Sequence, residues 1–591
     1  MQTKHFFSDP NHLVLTALHS LTLTNPSLAL DSQHKIVFRR PDASRKPNKV
    51  SIVTGGGSGH EPAFAGFVGA GLCDASVGGT IFASPSAEQI RIAAIDRVPT
   101  DHGVLIIPMN YTGDVLNFGM ATEKSRAAGI RTEFFAIGDD VGVGRQKSGK
   151  VGRRGIGGGA LVLKMIGALA DAGGSLDEVY GLAQLANKNL VSLGSSLERV
   201  HVPGRGEPED SIPMGEVEVG MGIHNEPGSH RAKADLPPLV TAMLRQLLDE
   251  SDADRAYITR KPEDQFVLLL NNLGGVSVLE LAGITDEIYR QLERDYQIKP
   301  VRIIQGTFLS SLNGLGFGVS LLKIVDTGLG AGKSMLELLD APSEAVGWSS
   351  PIPTSTWANH TIDAPVKLQE SRLAAENPSN VKLDPAVIKK VLSAGLQRVI
   401  RAEPEVTRYD TIVGDGDCGI GLKRGAEAIQ ALLDNPSAGL NDDAVATVNR
   451  IVTVIENVMD GTSGAIYAIF VNALAHGLRA QDQASTVPAT TEVWAKAVKH
   501  AVESLAKYTP AKPGDRTLVD ALVPFADTLV ETLDPRVAAA AAQQGTEATK
   551  AMKASLGRSV YVGGVEEWIG KVPDPGAFGL SEFLTGLAEA V

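Results

Sequence analysis

Short runs of consecutive apolar residues, each followed by glycine, asparagine or aspartate, most constrain the fold of the first half of this chain. The runs span residues 50–53, 104–107, 134–137 and 266–270. Continuous rather than alternating hydrophobicity is typical of strands that are buried on both faces. The sequence therefore predicts an α/β domain of parallel or mixed sheets with flanking helices, whose ligands bind beyond the carboxyl ends of the strands.

The hydrophobic pattern changes after residue 383. Asp384 is placed to cap a helix that begins at Pro385, and apolar residues then recur at helical spacing as far as Ile400. Before it, the stretch APSEAVGWSSPIPTSTWANHTIDAP is rich in proline, serine and threonine, which indicates a linker. We therefore predict an α/β domain over residues 1–340, a linker over 341–383 and an all-α domain over 384–591.

Composition excludes several classes of function. The formal net charge of -13 argues against a nucleic-acid partner, which would require concentrated basic surface. The two cysteines, Cys73 and Cys418, are too few for a disulfide framework and indicate a reducing compartment. The first residues show no secretion signal and no run reaches membrane-spanning length, so we expect a cytoplasmic protein with no membrane partner.

The stretch IVTGGGSGHEP at residues 52–62 resembles a phosphate-binding loop at first sight. It fails the dinucleotide fingerprint because His60 and Pro62 stand where the last glycine is required. The glycines would let backbone N–H groups approach a small hydroxylated ligand, and His60 could act as an acid or base. Asp114 follows another buried strand, in NYTGD, and could share the same crevice. A second glycine-rich stretch, TGLGAGKS, has Thr327 where a P-loop needs glycine.

A further histidine, His224, stands between glycines in EVEVGMGIHNEPG. Its imidazole could serve as a metal ligand, a base or a nucleophile. No histidine or cysteine lies beside it at metal-ligand spacing, so the sequence favours a base or a nucleophile.

Three aspartates open the helical domain, in the stretch YDTIVGDGDCGIG. Asp410, Asp415 and Asp417 are close enough for their carboxylates to converge on a hard cation such as Mg²⁺ bridging phosphates. An EF-hand is excluded because Ile420 replaces its glycine and Ala426 its final glutamate. The downstream stretches MDGTSGA, GRS and DPGA could complete a nucleotide pocket at helix starts.

Together these motifs closely resemble the single-chain, ATP-dependent dihydroxyacetone (glycerone) kinases, in the same order from about residue 5 to the C-terminus. The resemblance is carried by TGGGSGHEPAFAGFVG, IFASPS, NYTGDVLNFG, VGRRGIGGGALV, GSSLERVHVPGR, GMGIHNEPG, DTIVGDGDCG, GTSGAIY, PGDRTLVDAL and DPGA. It implies an α/β substrate domain in two subdomains, with a boundary near residues 190–200, followed by an eight-helix barrel that holds Mg-ATP. It also implies a homodimer.

The resemblance further implies a role for each site residue. A ring nitrogen of His224 adds to the ketone of dihydroxyacetone to give a hemiaminal, and His60 and Asp114 form the acid/base pair. Substrate contacts fall on Gly57, Ser58, Gly59, His60, Met109 and Asp114. Two Mg²⁺ ions fall on Asp410, Asp415 and Asp417. Nucleotide contacts fall on Cys418, Gly419, Ile420, Gly421, Thr462, Ser463, Thr509, Thr517, Leu518, Arg558, Asp574, Pro575 and Gly576.

Three positions depart from the family pattern and leave the ketose preference open. Met109 replaces a usual lysine and cannot donate its hydrogen bonds, Leu163 replaces a usual histidine, and Thr509 replaces a common glycine. The alternatives are a kinase for erythrulose or glyceraldehyde, a side activity that cyclises FAD to cyclic FMN, and a ketone-binding regulatory protein. The three aspartates argue against pure binding, since a sensor has no use for them.

Overall fold

The computed structural model describes residues 5–41, 49–206, 211–349, 352–359, 378–435, 441–459, 461–556 and 568–591. The chain divides into two compact units, residues 1–367 and 368–591. The division falls inside the predicted linker, of which residues 360–377 lie outside the described part. Near its two ends, Ala345 is buried in the core of the first unit and Val381 pairs with Val487 in the second. Residues at both ends of the predicted linker therefore belong to the packed units.

Six strands form the first sheet of the first unit, in the order β1-β2-β4-β3-β5-β6. They are Leu28–Asp31 (β1), Ile36–Arg39 (β2), Ser51–Ser58 (β3), Ala75–Ile81 (β4), Val104–Ile106 (β5) and Thr132–Phe134 (β6). The four strands β4, β3, β5 and β6 are parallel, whereas β1 and β2 add an antiparallel edge. Helices Pro10–Thr24 (α1), Ala87–Ile92 (α2) and Thr112–Ala127 (α3) accompany this sheet.

Strand β3 is longer than the sequence predicts. The apolar run was expected to end at the first glycine, but the strand continues through residues 55–57 to Ser58. A Cβ atom on Gly55 would lie 2.3 Å from the carbonyl oxygen of Val77 on β4, so glycine allows the two strands to approach each other. The predicted substrate residues Gly57 and Ser58 are therefore the end of a strand and not part of a loop.

Strand β6 is displaced from the predicted run at residues 134–137. It ends at Phe134, and of the later residues Ile137 makes only an isolated bridge with Met109. Sequence periodicity could not locate this end, because the run remains apolar beyond the last ladder hydrogen bond.

The second sheet of the first unit has the order β11-β10-β12-β7-β8-β9. Its strands are Leu190–Ser196 (β7), Glu216–Val219 (β8), His230–Lys233 (β9), Phe266–Asn272 (β10), Arg302–Gly306 (β11) and Gly316–Lys323 (β12). Among these described strands only β10 and β11 pair in parallel. The remaining α-helices among the described residues of the unit are Gly144–Ser148 (α4), Gly159–Asp171 (α5), Leu176–Lys188 (α6), Leu236–Leu248 (α7), Val278–Tyr296 (α8), Met335–Asp340 (α9) and Thr354–Asn359 (α10).

The apolar run in β10 reflects burial on both faces rather than strand direction. Val267 and Leu269 belong to a core cluster that includes residues of α5 and α6. Leu268 and Leu270 belong to a second cluster that includes residues of α7 and α8. β10 pairs in parallel with β11 and antiparallel with β12, so this sheet is mixed and the predicted architecture of parallel or mixed sheets with flanking helices is confirmed.

Eight helices of the described residues form the second unit. They are Pro385–Val413 (α11), Cys418–Asp434 (α12), Ala444–Val458 (α13), Gly461–Arg479 (α14), Thr491–Leu505 (α15), Val519–Thr532 (α16), Pro535–Ala548 (α17) and Pro575–Ala590 (α18). Asp384 caps α11 as predicted, because its carboxylate accepts a hydrogen bond of 2.8 Å from the N–H of Ala386. Two short strands, Val381–Lys382 (β13) and Val487–Pro488 (β14), pair in this unit.

The eight helices close into a ring. Each helix packs against the next along the chain, and α18 packs back against α11. Their apolar faces line an internal cavity of about 450 Å³. The predicted helical barrel is thereby confirmed. Among the described residues, no helix combines the length and hydrophobicity needed to cross a bilayer.

Candidate active site

Two histidines meet beyond the carboxyl end of β3. His60 follows this strand, and His224 lies in the connection between β8 and β9. Their Nε2 atoms are 3.0 Å apart. The Nδ1 atom of His60 lies 2.9 Å from the backbone carbonyl oxygen of Ser310, and that of His224 lies 2.8 Å from Oε1 of Glu226. Each imidazole is therefore held through both of its nitrogens.

These contacts determine where the protons lie. A carbonyl and a carboxylate only accept hydrogen bonds, so the Nδ1 atoms of His60 and His224 both carry protons. If both rings were neutral, two Nε2 lone pairs would face each other at 3.0 Å. One more proton removes this repulsion, and the carboxylate of Glu226 is placed to balance the charge on His224. The geometry favours a protonated His224 that donates from Nε2 to His60.

The surroundings of His60 and Glu226 support this assignment. Burial, followed by the charge of His224, lowers the pKa of His60 to about 3, so His60 is neutral in the resting site. Burial alone would raise the pKa of Glu226, but the hydrogen bonds and the charge of His224 lower it to about 2. Glu226 is therefore ionised at neutral pH.

Two aromatic side chains form walls around the histidines. The ring of Phe82 stacks on His60 with centroids 5.1 Å apart, and the ring of Tyr111 meets His224 edge-on at 4.8 Å. The Tyr111 hydroxyl is buried and has no hydrogen-bond partner within the described part of the chain. Motif reading missed both residues as site components, although they lie within IFASPS and NYTGD. Their rings restrict the orientation of the two imidazoles.

The predicted base Asp114 lies in the first turn of α3 and is only 6% exposed. Burial raises the pKa of its carboxyl to about 6, although a hydrogen bond with Ser84 and the charge of His224 act against this rise. Its Oδ1 atom has no hydrogen-bond partner among the described residues. Asp114 is therefore a buried carboxylate whose pKa suits proton transfer near neutral pH.

The glycine-rich segment allows the backbone to approach closely. A Cβ atom on Gly57 would lie 2.8 Å from the backbone nitrogen of Ala83. Gly59 has a φ of 99°, which favours glycine. The hydroxyl of Ser58 donates a hydrogen bond of 3.0 Å to the carbonyl oxygen of Gly79. In this structure Ser58 therefore supports the backbone, and its predicted contact with substrate stays a prediction.

Met109 packs its side chain in the hydrophobic core and is 1% exposed. Cβ atoms on Gly155 and Gly159 would lie 2.7 and 2.5 Å from its Sδ and Cε atoms, so these glycines make room for the methionine. Leu163, the second departure from the family pattern, is also fully buried. The structure thus accounts for both residues by packing, and the predicted substrate contact of Met109 stays a prediction.

In the helical unit, the three predicted aspartates come together. One carboxylate oxygen from each of Asp410, Asp415 and Asp417 lies within 4.8 Å of the others. Asp410 is buried near the end of α11, and its Oδ2 accepts a hydrogen bond of 3.0 Å from the N–H of Cys418. Gly416, with a φ of 80°, allows the tight turn between the other two. Three carboxylate oxygens suit a hard divalent cation such as Mg²⁺.

Most of the predicted nucleotide residues lie at helix starts, where free backbone N–H groups favour phosphate. Residues 418–421 form the first turn of α12, and residues 462–463 the first turn of α14. Residues 517–518 immediately precede α16, and residues 574–576 begin α18. Arg558 lies outside the described residues.

Specific contacts connect these helix starts. The thiol of Cys418 hydrogen-bonds with Ser463. A Cβ atom on Gly576 would lie 3.5 Å from that of Leu518. Burial raises the pKa of Asp574 to about 6, although Arg516 acts against this rise. By contrast, the hydroxyl of Thr509 accepts a hydrogen bond of 3.2 Å from Ala511, and no described contact links it to the cluster.

The whole chain is similar to known proteins. Family profiles described as the Dak1 domain and the DAK2 domain match residues 19–347 and 412–589. The chain is 43% identical over 602 residues to dihydroxyacetone kinase 2 of Saccharomyces cerevisiae, covering 100% of both chains. It is 41% identical over 615 residues to dihydroxyacetone kinase of Pichia angusta, covering 100% of this chain and 99% of that one.

A solved structure extends the comparison. The dihydroxyacetone kinase from C. freundii in complex with AMP-PNP and Mg²⁺ is similar to this chain with a TM-score of 0.64 and 29% identity, covering 100% of both chains. The order of domains, the full-length matches and the similar fold agree with one another. The chain therefore belongs to the dihydroxyacetone kinase family.

Proposed function

We propose that the chain phosphorylates dihydroxyacetone to dihydroxyacetone phosphate with Mg-ATP, and that His224 holds the ketone as a hemiaminal. The observation that carries the covalent step is the arrangement of His224 between His60 and Glu226. Membership of the dihydroxyacetone kinase family supports the overall reaction. The AMP-PNP and Mg²⁺ held by the similar C. freundii enzyme support the phosphoryl donor and the metal.

Covalent capture uses the proton between the two histidines. His60 accepts this proton from Nε2 of His224 as the ketone arrives. The freed Nε2 lone pair forms a C–N bond with the carbonyl carbon, and the carbonyl π electrons take the proton from His60 onto oxygen. The adduct leaves the imidazole ring of His224 cationic. Glu226 remains ionised throughout, so the net charge of the group does not change.

This chemistry selects ketones over polyols. Glycerol carries a hydroxyl where dihydroxyacetone carries a carbonyl, so it cannot form the adduct. Pocket contacts alone discriminate small groups by only about 1 to 3 kcal/mol. Covalent capture on His224 therefore supplies selectivity that shape cannot.

Phosphoryl transfer needs a base for the attacking hydroxyl, and Asp114 is our choice, assisted by His60. Its raised pKa, about 6, leaves it ionised at neutral pH yet able to accept a proton. Burial keeps water from its carboxylate. A terminal hydroxyl of the captured ketose is then activated by a group of the α/β unit itself.

The helical unit holds and orients the nucleotide. Asp410, Asp415 and Asp417 would hold Mg²⁺, and we expect two ions as in the family. Bound Mg²⁺ supplies neutralisation of phosphate charge. Backbone N–H groups at the starts of α12, α14 and α18 bind phosphate oxygens and fix their orientation. We further propose that the protein is a cytoplasmic homodimer, which light scattering of the purified protein tests.

The test is ATP turnover with a panel of acceptors. We expect dihydroxyacetone to be the preferred acceptor over glyceraldehyde and erythrulose, with no turnover of glycerol and little cyclisation of FAD. Dihydroxyacetone labelled with carbon-13 at its carbonyl should lose its ketone NMR signal on binding and gain a hemiaminal signal. Turnover of erythrulose above dihydroxyacetone would reassign the substrate, and ketone binding without any turnover would make the protein a ketone-binding protein.

Exchange of Glu226 for Gln sharpens the covalent step. The amide oxygen can still accept the hydrogen bond from Nδ1 of His224, but the amide cannot balance the positive charge, and its NH₂ group cannot accept from the backbone N–H of His224. Hydrogen bonds to charged groups are worth about 1.5 to 3 kcal/mol, so we expect about 10- to 100-fold less adduct in the NMR experiment. An unchanged adduct in this variant would show that the cationic ring does not need Glu226.

A further inference from the structure

The segment GSSLERVHVPGR, residues 194–205, supplies no group to the reaction proposed above. It begins within β7, and after the end of that strand it contacts the connection between β8 and β9 that carries His224. Beyond the end of β7, Arg199 and Val200 make hydrogen bonds with that connection. These contacts give the segment a role that its sequence alone does not reveal.

Asn225, the residue after His224, is bound to Val200 through both ends of its amide. The N–H of Val200 donates to Oδ1 of Asn225, and Nδ2 of Asn225 donates to the carbonyl oxygen of Val200, each at 2.9 Å. Asn225 has a φ of 66°, in the left-handed region that asparagine tolerates better than most residues. The side chain thus fixes a backbone conformation that few residues adopt.

Arg199 binds the same residue through its backbone. Its Nη1 donates to the carbonyl oxygen of Asn225 at 2.8 Å, and its Nη2 donates to Oε2 of Glu218 on β8 at 3.1 Å. Arg199 is only 9% exposed, so these hydrogen bonds are shielded from water. The planar guanidinium therefore ties the residue after His224 to strand β8 of the second sheet.

The residue before His224 is held as well. The hydroxyl of Ser311 donates to the carbonyl oxygen of Ile223 at 2.6 Å. The backbone is thus fixed on both sides of His224, while the N–H of His224 itself donates to Glu226 at 2.9 Å. A ring whose Nε2 must face both His60 and a ketone carbon needs such a fixed backbone, because attack depends on distances of about 3 to 3.5 Å.

We propose that Arg199 and Asn225 are positioning residues that aim Nε2 of His224 at the ketone, an inference that rests on the proposed function. The two side chains make hydrogen bonds with Val200, with Glu218 and with the backbone of Asn225. Their contribution is the backbone conformation at residues 223–225. We call these hydrogen bonds of Arg199 and Asn225 the backbone clamp. Loss of this clamp should weaken ketone capture and leave nucleotide binding intact.

The test compares Asn225→Ala with Asn225→Gly in the full-length protein. Alanine loses the amide and strains the left-handed backbone, whereas glycine loses only the amide. We expect KM for dihydroxyacetone to rise about 10- to 100-fold in the alanine variant and less in the glycine variant. KM for ATP should stay within about twofold of the wild type, and the hemiaminal NMR signal should fall in the same order as the KM values rise.

Asn25→Ala is the matched control. Asn25 is a buried amide of the same unit that accepts from the N–H of Ser27 at 3.0 Å and donates to the carbonyl oxygen of Glu344 at 3.1 Å. Its loss should lower the unfolding temperature without changing KM for the ketone. An equal rise of this KM in the control would overturn the proposal, because general destabilisation would then explain the effect.

Arg199→Lys tests the same clamp if Asn225→Ala fails to fold. A lysine retains the charge, but its single ammonium group cannot reproduce the two hydrogen bonds of the guanidinium to Asn225 and Glu218. We therefore expect KM to rise for the ketone and not for ATP. Wild-type KM and wild-type adduct in the Arg199→Lys and Asn225→Gly variants would overturn the clamp and leave the proposed function standing. Absence of adduct in the wild type would instead overturn covalent capture itself.

Discussion

The two units differ in how deeply their sites are buried. In the α/β unit, the end of β3 and the start of α3 carry His60 and Asp114, which are 1% and 6% exposed. In the helical unit, the predicted nucleotide residues lie at helix starts, and Asp415 and Asp417 are exposed. The first site supplies buried reactive groups of its own. The second supplies carboxylates and N–H groups that act only together with a cation and phosphates.

The Asp114→Asn variant tests whether the α/β unit supplies the base of the reaction, and we expect it to have the largest effect on turnover. Loss of a general base typically lowers turnover about 100- to 10,000-fold. In the wild type, kcat/KM for dihydroxyacetone should fall below about pH 6, the pKa to which burial raises Asp114, and this acid limb should disappear in the variant. If kcat/KM of the Asp114→Asn variant still fell below about pH 6, a group other than Asp114 would be responsible for this pH dependence.

The same variant should be more stable than the wild type at high pH. A carboxyl whose pKa is raised on folding binds its proton more tightly in the native state, so its contribution to stability falls as pH rises to about 6. Above that pH the ionised, buried Asp114 destabilises the fold. We expect thermal unfolding at pH 8 to occur at a higher temperature in Asp114→Asn, with a smaller difference at pH 4.

Asp417→Ala would test the dependence of the helical site on a cation. Charge neutralisation by Mg²⁺ is worth several kcal/mol, so we expect turnover to fall at least about 100-fold. The hemiaminal NMR signal should be unchanged, because the ketone site lies in the other unit. Asp534→Ala removes a helix-capping carboxylate of the same unit and should retain turnover. Loss of the ketone adduct in Asp417→Ala would contradict the separation of the two sites.

His224→Ala should affect selectivity more than nucleotide binding. Without the adduct, only pocket contacts of about 1 to 3 kcal/mol distinguish dihydroxyacetone from its competitors, so we expect kcat/KM to fall about 10- to 200-fold. Discrimination against glycerol should shrink, while the affinity for ADP measured by calorimetry should not change. Full activity with full discrimination would mean that hydrogen bonding alone accounts for specificity.

Met109→Leu should have the smallest effect. The methionine packs in the core against Gly155 and Gly159, and swaps of similar volume usually cost less than about 1.5 kcal/mol of stability. We therefore expect KM for dihydroxyacetone to change less than about twofold, since the buried side chain is accounted for by packing. A large change in KM with normal stability would support the substrate contact predicted from the sequence.

The reactive residues of both sites could be predicted from the sequence because they stand within recognisable motifs. His60, His224 and Asp114 stand in glycine-rich or strand-end contexts, and the three aspartates lie within eight residues of one another. The change from continuous apolar runs to helical spacing likewise indicated an α/β part followed by a helical part. These features are local, and local spacing is what a sequence displays directly.

Strand direction and strand ends were not accessible in the same way. The run in β10 is apolar because α5 and α6 cover one face and α7 and α8 cover the other, and this is true of parallel and antiparallel neighbours alike. β3 continues through glycines because β4 approaches closely there. Both facts depend on residues distant along the chain.

By itself, the sequence determined which residues can perform chemistry here and in which half of the chain each one lies. Only the tertiary structure decided which of them meet: His60 and His224 are 164 positions apart, yet their Nε2 atoms are 3.0 Å apart. Only the tertiary structure showed that Glu226 orients His224, that Arg199 and Asn225 hold its backbone, and that Met109 fills the core. The physical reason is that burial and hydrogen-bond geometry arise from packing between distant segments, which no local pattern records.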